Sequence, residues 1–199
     1  EVVEYDTNTT VRVTGRVQID GAVIGAEGVS ITIEAEGDVV VGGTVEAGAG
    51  VAGRDAPHQV SEEGDNTQGG AGGSVTLTST AGDVAFAEGS RIAAGDGGDG
   101  GEGLTGGHGG RGGDVTVNCL GGTLTMNQSA GMFHVGAGGR GGDGVVGGED
   151  LPGDGLPEQL ANGGGDAGIF SVNVQELVGV ELEEVAGGEG EIGVWAPLV

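Results

Sequence analysis

A strict period of three governs the middle of this chain. Between Asp96 and Asp114 a residue other than glycine returns at every third position, and Leu104 is the one further exception. Three residues per turn, with a rise of about 3.1 Å per residue, is the geometry of the extended left-handed polyproline II helix. Because glycine leaves two faces of such a helix without side chains, neighbouring segments can pack backbone against backbone. The pattern therefore predicts ordered, packed extended helices rather than a flexible linker.

The composition limits the architecture and the partners. Glycine accounts for 51 of 199 residues, and the 36% of apolar residues concentrate in short β-branched runs that suit one narrow core. Acidic residues number 31 against six arginines, without lysine, for a net charge of −25. This charge argues against nucleic acid or an anionic membrane surface as partner and favours cations. No apolar run approaches a membrane span. We expect a single domain over residues 1–199.

Five segments alternate apolar and polar residues with period two, as half-buried strands do. They begin at Thr10, Val29, Ser74, Asp114 and Phe170. Each is followed by a second short strand, and most repeats add a third. The residues expected to point inward are Val17/Ile19, Val39/Val41, Val84/Phe86, Leu124/Met126 and Val178/Val180 in the second strands, and Val45/Ala47, Ile92/Ala94, Phe133/Val135 and Ile192/Val194 in the third.

A repeat of three short strands separated by bends predicts the fold class. The first repeat, from Val11 to Ile31, spans twenty residues without an excursion. Such a repeat is typical of a right-handed parallel β-solenoid, a three-sided β-helix in an all-β class. Glycine-rich insertions at 48–73, 95–113 and 137–169 each leave after the third strand. Since insertions at one corner project to one side, we expect these polyglycine or polyproline II-like segments to pack along one side of the solenoid.

The strand pattern resembles that of known surface proteins. The residues that carry it are Gly72-Gly73-Ser74-Val75-Thr76-Leu77-Thr78, followed by Gly82-Asp83-Val84-Ala85-Phe86. They resemble turns of filamentous-haemagglutinin-type and autotransporter-type passengers, which are secreted adhesins built as parallel β-helices. The glycine-rich inserts are similar to those of springtail antifreeze proteins and some phage tail adhesins. This chain departs from both groups because it is shorter than typical passengers and interleaves the two designs. The resemblance implies a secreted, extracellular or cell-surface protein without enzymatic activity.

The sequence offers few candidates for catalysis or metal binding. The three histidines follow no ligand spacing, and Cys119 takes the inward phase of its strand. Asp96, Asp99, Glu102 and Asp143 are candidate calcium ligands. Residues three apart on an extended helix stand about 9 Å apart, so a calcium site needs carboxylates from two segments or two molecules. We expect no cofactor, a solvated acidic face, and Arg111 and Arg140 paired with carboxylates of adjacent segments.

The ends of the chain suggest self-assembly. Apolar residues at both termini are candidate assembly contacts, namely Val2, Val3, Tyr5, Trp195, Leu198 and Val199. Unpaired strand edges at the ends of a solenoid invite addition of another copy. We therefore expect a structural or adhesive subunit of an extracellular filament that assembles head to tail, with itself and surface polysaccharide or cations as partners.

Two alternative functions stay open at this point. The first is ice binding by a column of Thr32, Thr76 and Thr116, which Asn173 would interrupt and Glu34 and Asp114 would flank with charge. The second is a polysaccharide-acting β-helix enzyme, whose site would assemble from distant turns.

Overall fold

We describe a computed structural model of the chain. It defines residues 1–55, 67–102, 106–126, 133–142, 163–178 and 192–195, of which 176–178 and 192–195 are defined through their backbone alone. The fold of these residues is all-β and contains no helix. The strands are β1 (Val2–Tyr5), β2 (Thr9–Val13), β3 (Val17–Ile19), β4 (Ala22–Gly25), β5 (Ile31–Ala35), β6 (Val39–Val41), β7 (Thr44–Glu46), β8 (Val75–Ser79), β9 (Val84–Phe86), β10 (Arg91–Ala93), β11 (Val115–Met126), β12 (Phe133–His134), β13 (Phe170–Val178) and β14 (Ile192–Trp195).

Each strand pairs in parallel with its counterpart from a neighbouring repeat. One sheet has the order β1-β4-β7-β10-β12. The other has the order β2-β5-β8-β11-β9-β6-β3, with β13 added on β11 and β14 added on β13. We call a series of strands that pair side by side a row. Strand β11 belongs to two rows, because its first part pairs with β8 and its last part pairs with β9. The sequence prediction of an all-β fold with short parallel strands is therefore confirmed.

The register corrects three sequence-based expectations. Val11 pairs with Ile33 rather than Ile31, so the first repeat is two residues longer than the expected twenty. Leu177, rather than Val178, lies beside Leu124. Strand β14 pairs with β13, so Ile192 and Val194 belong to a first strand of the next repeat and not to a third strand. Alternation of apolar and polar residues indicates a strand but does not predict which other strands it pairs with.

The core lies between the rows of strands. Along β7, β10 and β12, Val45, Ile92 and Phe133 are neighbours in register and buried. The inward residues expected for the second and third strands are buried wherever side chains are described, except Val17, which is half-buried. Val178, Val180, Ile192 and Val194 fall outside the described side chains.

Candidate functional site

Six glycine-rich segments lie beside one another next to the strands. Three of them follow β7, β10 and β12, and three precede β8, β11 and β13. They comprise residues 47–55, 94–102 and 135–142, and residues 67–73, 106–113 and 163–168.

In the segment 94–102, the two glycines of a triplet bond to different neighbouring segments. The N–H of Gly97 donates to the carbonyl of Ala137 at 2.8 Å, and the N–H of Gly98 donates to the carbonyl of Gly70 at 2.8 Å. The same alternation recurs in 67–73 and 106–113, whereas 47–55, 135–142 and 163–168 donate to one neighbouring segment and accept from another. Each segment is therefore held from two sides through its backbone. The close approach requires glycine, since a Cβ at Gly97 or Gly98 would overlap a neighbouring carbonyl oxygen.

Aspartates accept from three further N–H groups of the glycine-rich segments. The Oδ1 of Asp96 and that of Asp99 accept from the N–H of Ala137 and Arg140, each at 2.8 Å. Asp55 accepts from the N–H of Glu102 in the same way, at 2.9 Å. Two of the candidate calcium ligands therefore already bond to the backbone of the adjacent segment. Glu102 is exposed, and Asp143 lies outside the described residues.

Metal binding gains no support from this geometry. In the described part of the chain, no group of three or more histidine, cysteine, aspartate or glutamate residues could hold a metal ion. Calcium binding stays a prediction.

Hydroxyl side chains line the outer side of the row formed by β2, β5, β8, β11 and β13. Parallel pairing places one column in register, consisting of Thr10, Thr32, Thr76, Thr116 and Ser171. A second column on the same side lies two residues later in each strand and consists of Arg12, Glu34, Thr78, Asn118 and Asn173. The sequence-based expectation that Asn173 interrupts the threonine column is therefore wrong, because Ser171 continues the column. We call these two columns the hydroxyl face.

Both ion pairs of the described residues lie at this face. Arg12 donates from Nε to Glu34 at 2.6 Å, within the second column. Arg111 donates to both carboxylate oxygens of Asp114, at 2.7 and 3.1 Å, where the chain enters β11. The expectation that Arg111 would pair with an adjacent segment is wrong, because Asp114 lies three residues along its own segment. No ion pair of Arg140 occurs within the described ranges.

A ladder of side-chain to backbone bonds fixes the start of these strands. Asn8 accepts from the N–H of Ser30 at 2.8 Å, Ser30 from that of Ser74 at 2.9 Å, and Ser74 from that of Asp114 at 2.9 Å. Asp114 in turn accepts from the N–H of Ile169 at 2.7 Å. The ladder holds the strands in register, which keeps the columns of the hydroxyl face aligned.

The end of the stack that contains the first strands is open. Strands β1, β2 and β3 each have a partner strand on one side only, within the part of the chain that is defined. Val3 is 39% exposed, whereas Val45, two strands further along the same column, is fully buried. Unpaired backbone edges and exposed apolar side chains therefore coincide at this end.

Cys119 belongs to the core and not to a reactive site. Its side chain is fully buried, and its Sγ lies 3.6 Å from the carbonyl oxygen of Gly82. Burial raises the pKa of the thiol from its ordinary value. Backbone hydrogen bonds at Val84 and Gly122 act in the opposite direction, and the negative charge of Asp83 adds to the increase. The thiolate is the nucleophilic form, so the folded protein holds this cysteine inert.

We expect iodoacetamide at pH 8 to label Cys119 much more slowly in the folded protein than in urea. Because the pKa of the thiol is raised in the folded protein, its contribution to stability is complete below the pKa of the unfolded thiol and is lost as the pH rises through the folded pKa. Mass spectrometry over time measures the labelling, with a Cys119→Ser variant as the unreactive control. Equal rates with and without urea would contradict the buried placement.

Comparison with protein-family models, with curated proteins and with solved structures finds no match to this chain. In the residues that the structure defines, no helix is long and apolar enough to cross a membrane. The class that the fold defines is thus an all-β protein of parallel sheets with glycine-rich segments beside them.

Proposed function

We propose that this chain is a secreted structural and adhesive protein that polymerises head to tail into an extracellular filament. Its fold in this proposal is a right-handed, three-sided β-solenoid with polyglycine II-like segments packed along one side. The in-register parallel pairing of strands from successive repeats supports the solenoid. Backbone bonding among the glycine-rich segments supports the packed side layer.

The observation that carries the assembly proposal is the open end at β1, β2 and β3. A strand edge presents unpaired N–H and carbonyl groups that template the pairing of another chain. Val3, Val11 and Val17 are exposed or half-buried there, while their counterparts deeper in the stack are buried. Val2 is 59% exposed beside them. A further repeat from a second copy would pair the edges and bury Val3, Val11 and Val17. Val2 lies in an outward column, whose members Ala22 and Thr44 are only half-buried.

The opposite side of the stack offers the complementary edge. Within the described residues, β14 pairs with β13 alone, so its other edge faces away from the stack. Contacts between different surfaces of two copies propagate into open filaments when the rotation does not close. Of the sequence-based assembly candidates, Val2, Val3 and Tyr5 lie on the edge strand β1, and Trp195 ends β14. Leu198 and Val199 fall outside the described residues.

The geometry of β2 allows a specific disruption of the free edge. Thr9 donates its N–H to Ser30, and Val13 accepts from Glu36, so these residues face the neighbouring strand. Because bonding directions alternate along a strand, the N–H groups of Thr10 and Arg12 face the open side. Proline at such a position removes a free-edge donor and leaves the bonds to β5 intact, which is where sheets tolerate proline.

We expect Thr10→Pro to abolish or strongly weaken polymerisation while leaving a folded monomer. The lost hydrogen bond and the bulk of the proline ring together should raise the critical concentration about tenfold or more. Sedimentation velocity and negative-stain electron microscopy measure the polymer, and circular dichroism measures the fold.

Thr10→Val is the matched control, because it keeps the N–H and should polymerise normally. Gln18→Pro tests the same idea at β3. The N–H of Val17 bonds to Asp38 of the neighbouring repeat, so the N–H of Gln18, the next residue, faces the free side. An intact protein that stays monomeric at high concentration would defeat the proposal, as would unchanged filaments from both proline variants.

A further inference from the structure

We propose that the hydroxyl face binds a neutral, linear polysaccharide laid along the axis of the strand stack. This inference deepens the proposed adhesive role by naming the chemistry of the partner and the residues that meet it. It rests on the charge of the face, on the free hydrogen-bonding groups of its side chains and on their repeat.

The face is close to neutral on a protein whose net charge is −25. Its one arginine and one glutamate, Arg12 and Glu34, neutralise each other at 2.6 Å. The carboxylate of Asp114 at its border is neutralised by Arg111. Two of the six arginines thus cancel Glu34 and Asp114, whereas Glu36, exposed just after β5, has no ion pair among the described residues. Polyanions are repelled by the rest of the molecule, whereas a neutral polymer is not.

The side chains of the face have unused hydrogen-bonding capacity. Thr32, Thr76 and Thr116 are half-buried, and their hydroxyls bond to no other described residue. A hydroxyl both donates and accepts, and so does the amide of Asn173. The amide of Asn118 already donates to Oγ1 of Thr78 at 3.1 Å, which leaves its carbonyl oxygen as the acceptor. The hydroxyls of a sugar also donate and accept hydrogen bonds, so such side chains can bind them.

The repeat of the face suits an extended polymer. In-register residues on neighbouring strands stand about 4.8 Å apart, so the threonine column presents an evenly spaced row along the axis. Each sugar would make only a few contacts. Linked contacts strengthen one another through effective concentration, so the affinity should rise steeply with the number of sugars.

The second column distinguishes a polysaccharide from an ice surface as the occupant. A flat lattice of water needs side chains of matched length. Arg12, Glu34 and Asn118, which stand beside the threonines, differ in length and in charge. Mixed donors and acceptors of this kind suit the uneven outline of a sugar chain.

The test uses the full chain with cello-oligosaccharides of two to eight sugars, insoluble cellulose, dextran and, as a charged comparison, alginate. We expect binding to cellulose and to the longer neutral oligosaccharides, with affinity increasing with length, and little binding to alginate. In the triple variant Thr32→Val, Thr76→Val and Thr116→Val, the loss of three hydroxyls should weaken binding about tenfold or more. Valine keeps the β-branched shape, so the fold should persist.

The matched control is the pair Thr44→Val and Thr125→Val, which removes half-buried outward hydroxyls from the other two rows of strands. These variants should bind the neutral polymers as the unchanged protein does. The proposal is overturned if no neutral polymer binds, if the triple variant binds normally, or if alginate binds best. It is also overturned if the protein shows thermal hysteresis that the triple variant lacks while cellulose is ignored. Sedimentation of the same variants reports polymerisation separately, so a failure here is distinguishable from a failure of the filament proposal.

Discussion

We expect Gly165→Ala to destabilise the protein strongly and Gly163→Ala, two residues away, to stabilise it slightly. A Cβ at Gly165 would overlap the carbonyl oxygen of Gly110 in the adjacent segment, whereas a Cβ at Gly163 would meet no atom within 4 Å. Forcing two bonded backbones apart should cost about 3 kcal/mol or more. At the open position, alanine restricts the unfolded chain and should gain about 0.4–1 kcal/mol.

Urea unfolding followed by circular dichroism measures both free energies of unfolding. Gly109→Ala should behave like Gly165→Ala, since its Cβ would overlap the carbonyl oxygen of Gly139. Similar stabilities for the 163 and 165 variants would show that the glycine-rich segments do not pack through their backbones. The proposed side layer would then be wrong, while the parallel sheets would stand.

The sequence pattern reveals the strands but not their alignment across repeats. Alternation in β5, β8 and β11 predicted which side chains point inward, because those residues meet a core on one face only. The pattern does not predict strand β4, since Ala22-Val23-Ile24-Gly25 has no polar alternation. The two-residue error in the first repeat arose because pairing depends on the turn before β5, where Gly28 takes a φ of 69° and Val29 closes on Ala26. Such a turn is not visible in a polarity pattern.

The candidate surfaces were only partly predictable for a similar reason. The period of three predicted close packing of the glycine-rich segments, because it specifies two bare faces without reference to any partner. The role of Asp96 and Asp99 as acceptors for backbone N–H groups was not predictable, since it depends on which segment lies next to which. The continuity of the threonine column through Ser171 depends on the register between β11 and β13, across a separation of 55 residues from Thr116 to Ser171.

Aromatic packing inside the stack supplies the second large expected effect. Phe133 lies between the rings of Phe86 and Phe170, with centroid distances of 5.0 Å to the first and 4.7 Å to the second. The three rings come from β9, β12 and β13, which are strands of three different rows. Edge-to-face and tilted pairs of this kind add stability beyond their buried area. Phe133 therefore links the rows to one another, which backbone pairing within a row cannot do.

We expect Phe133→Ala to lower the free energy of unfolding by about 3–5 kcal/mol, because it leaves a cavity where both ring contacts are lost. A loss of that size is a large fraction of the total stability of about 5–15 kcal/mol that native domains have. Phe133→Leu should cost less, since it fills part of the space. Leu120→Ala is the control, because Leu120 is 41% exposed on β11 and should change stability by no more than about 0.5 kcal/mol. If Phe133→Ala cost no more than Leu120→Ala in urea unfolding, the rows would be held together by something other than this aromatic contact.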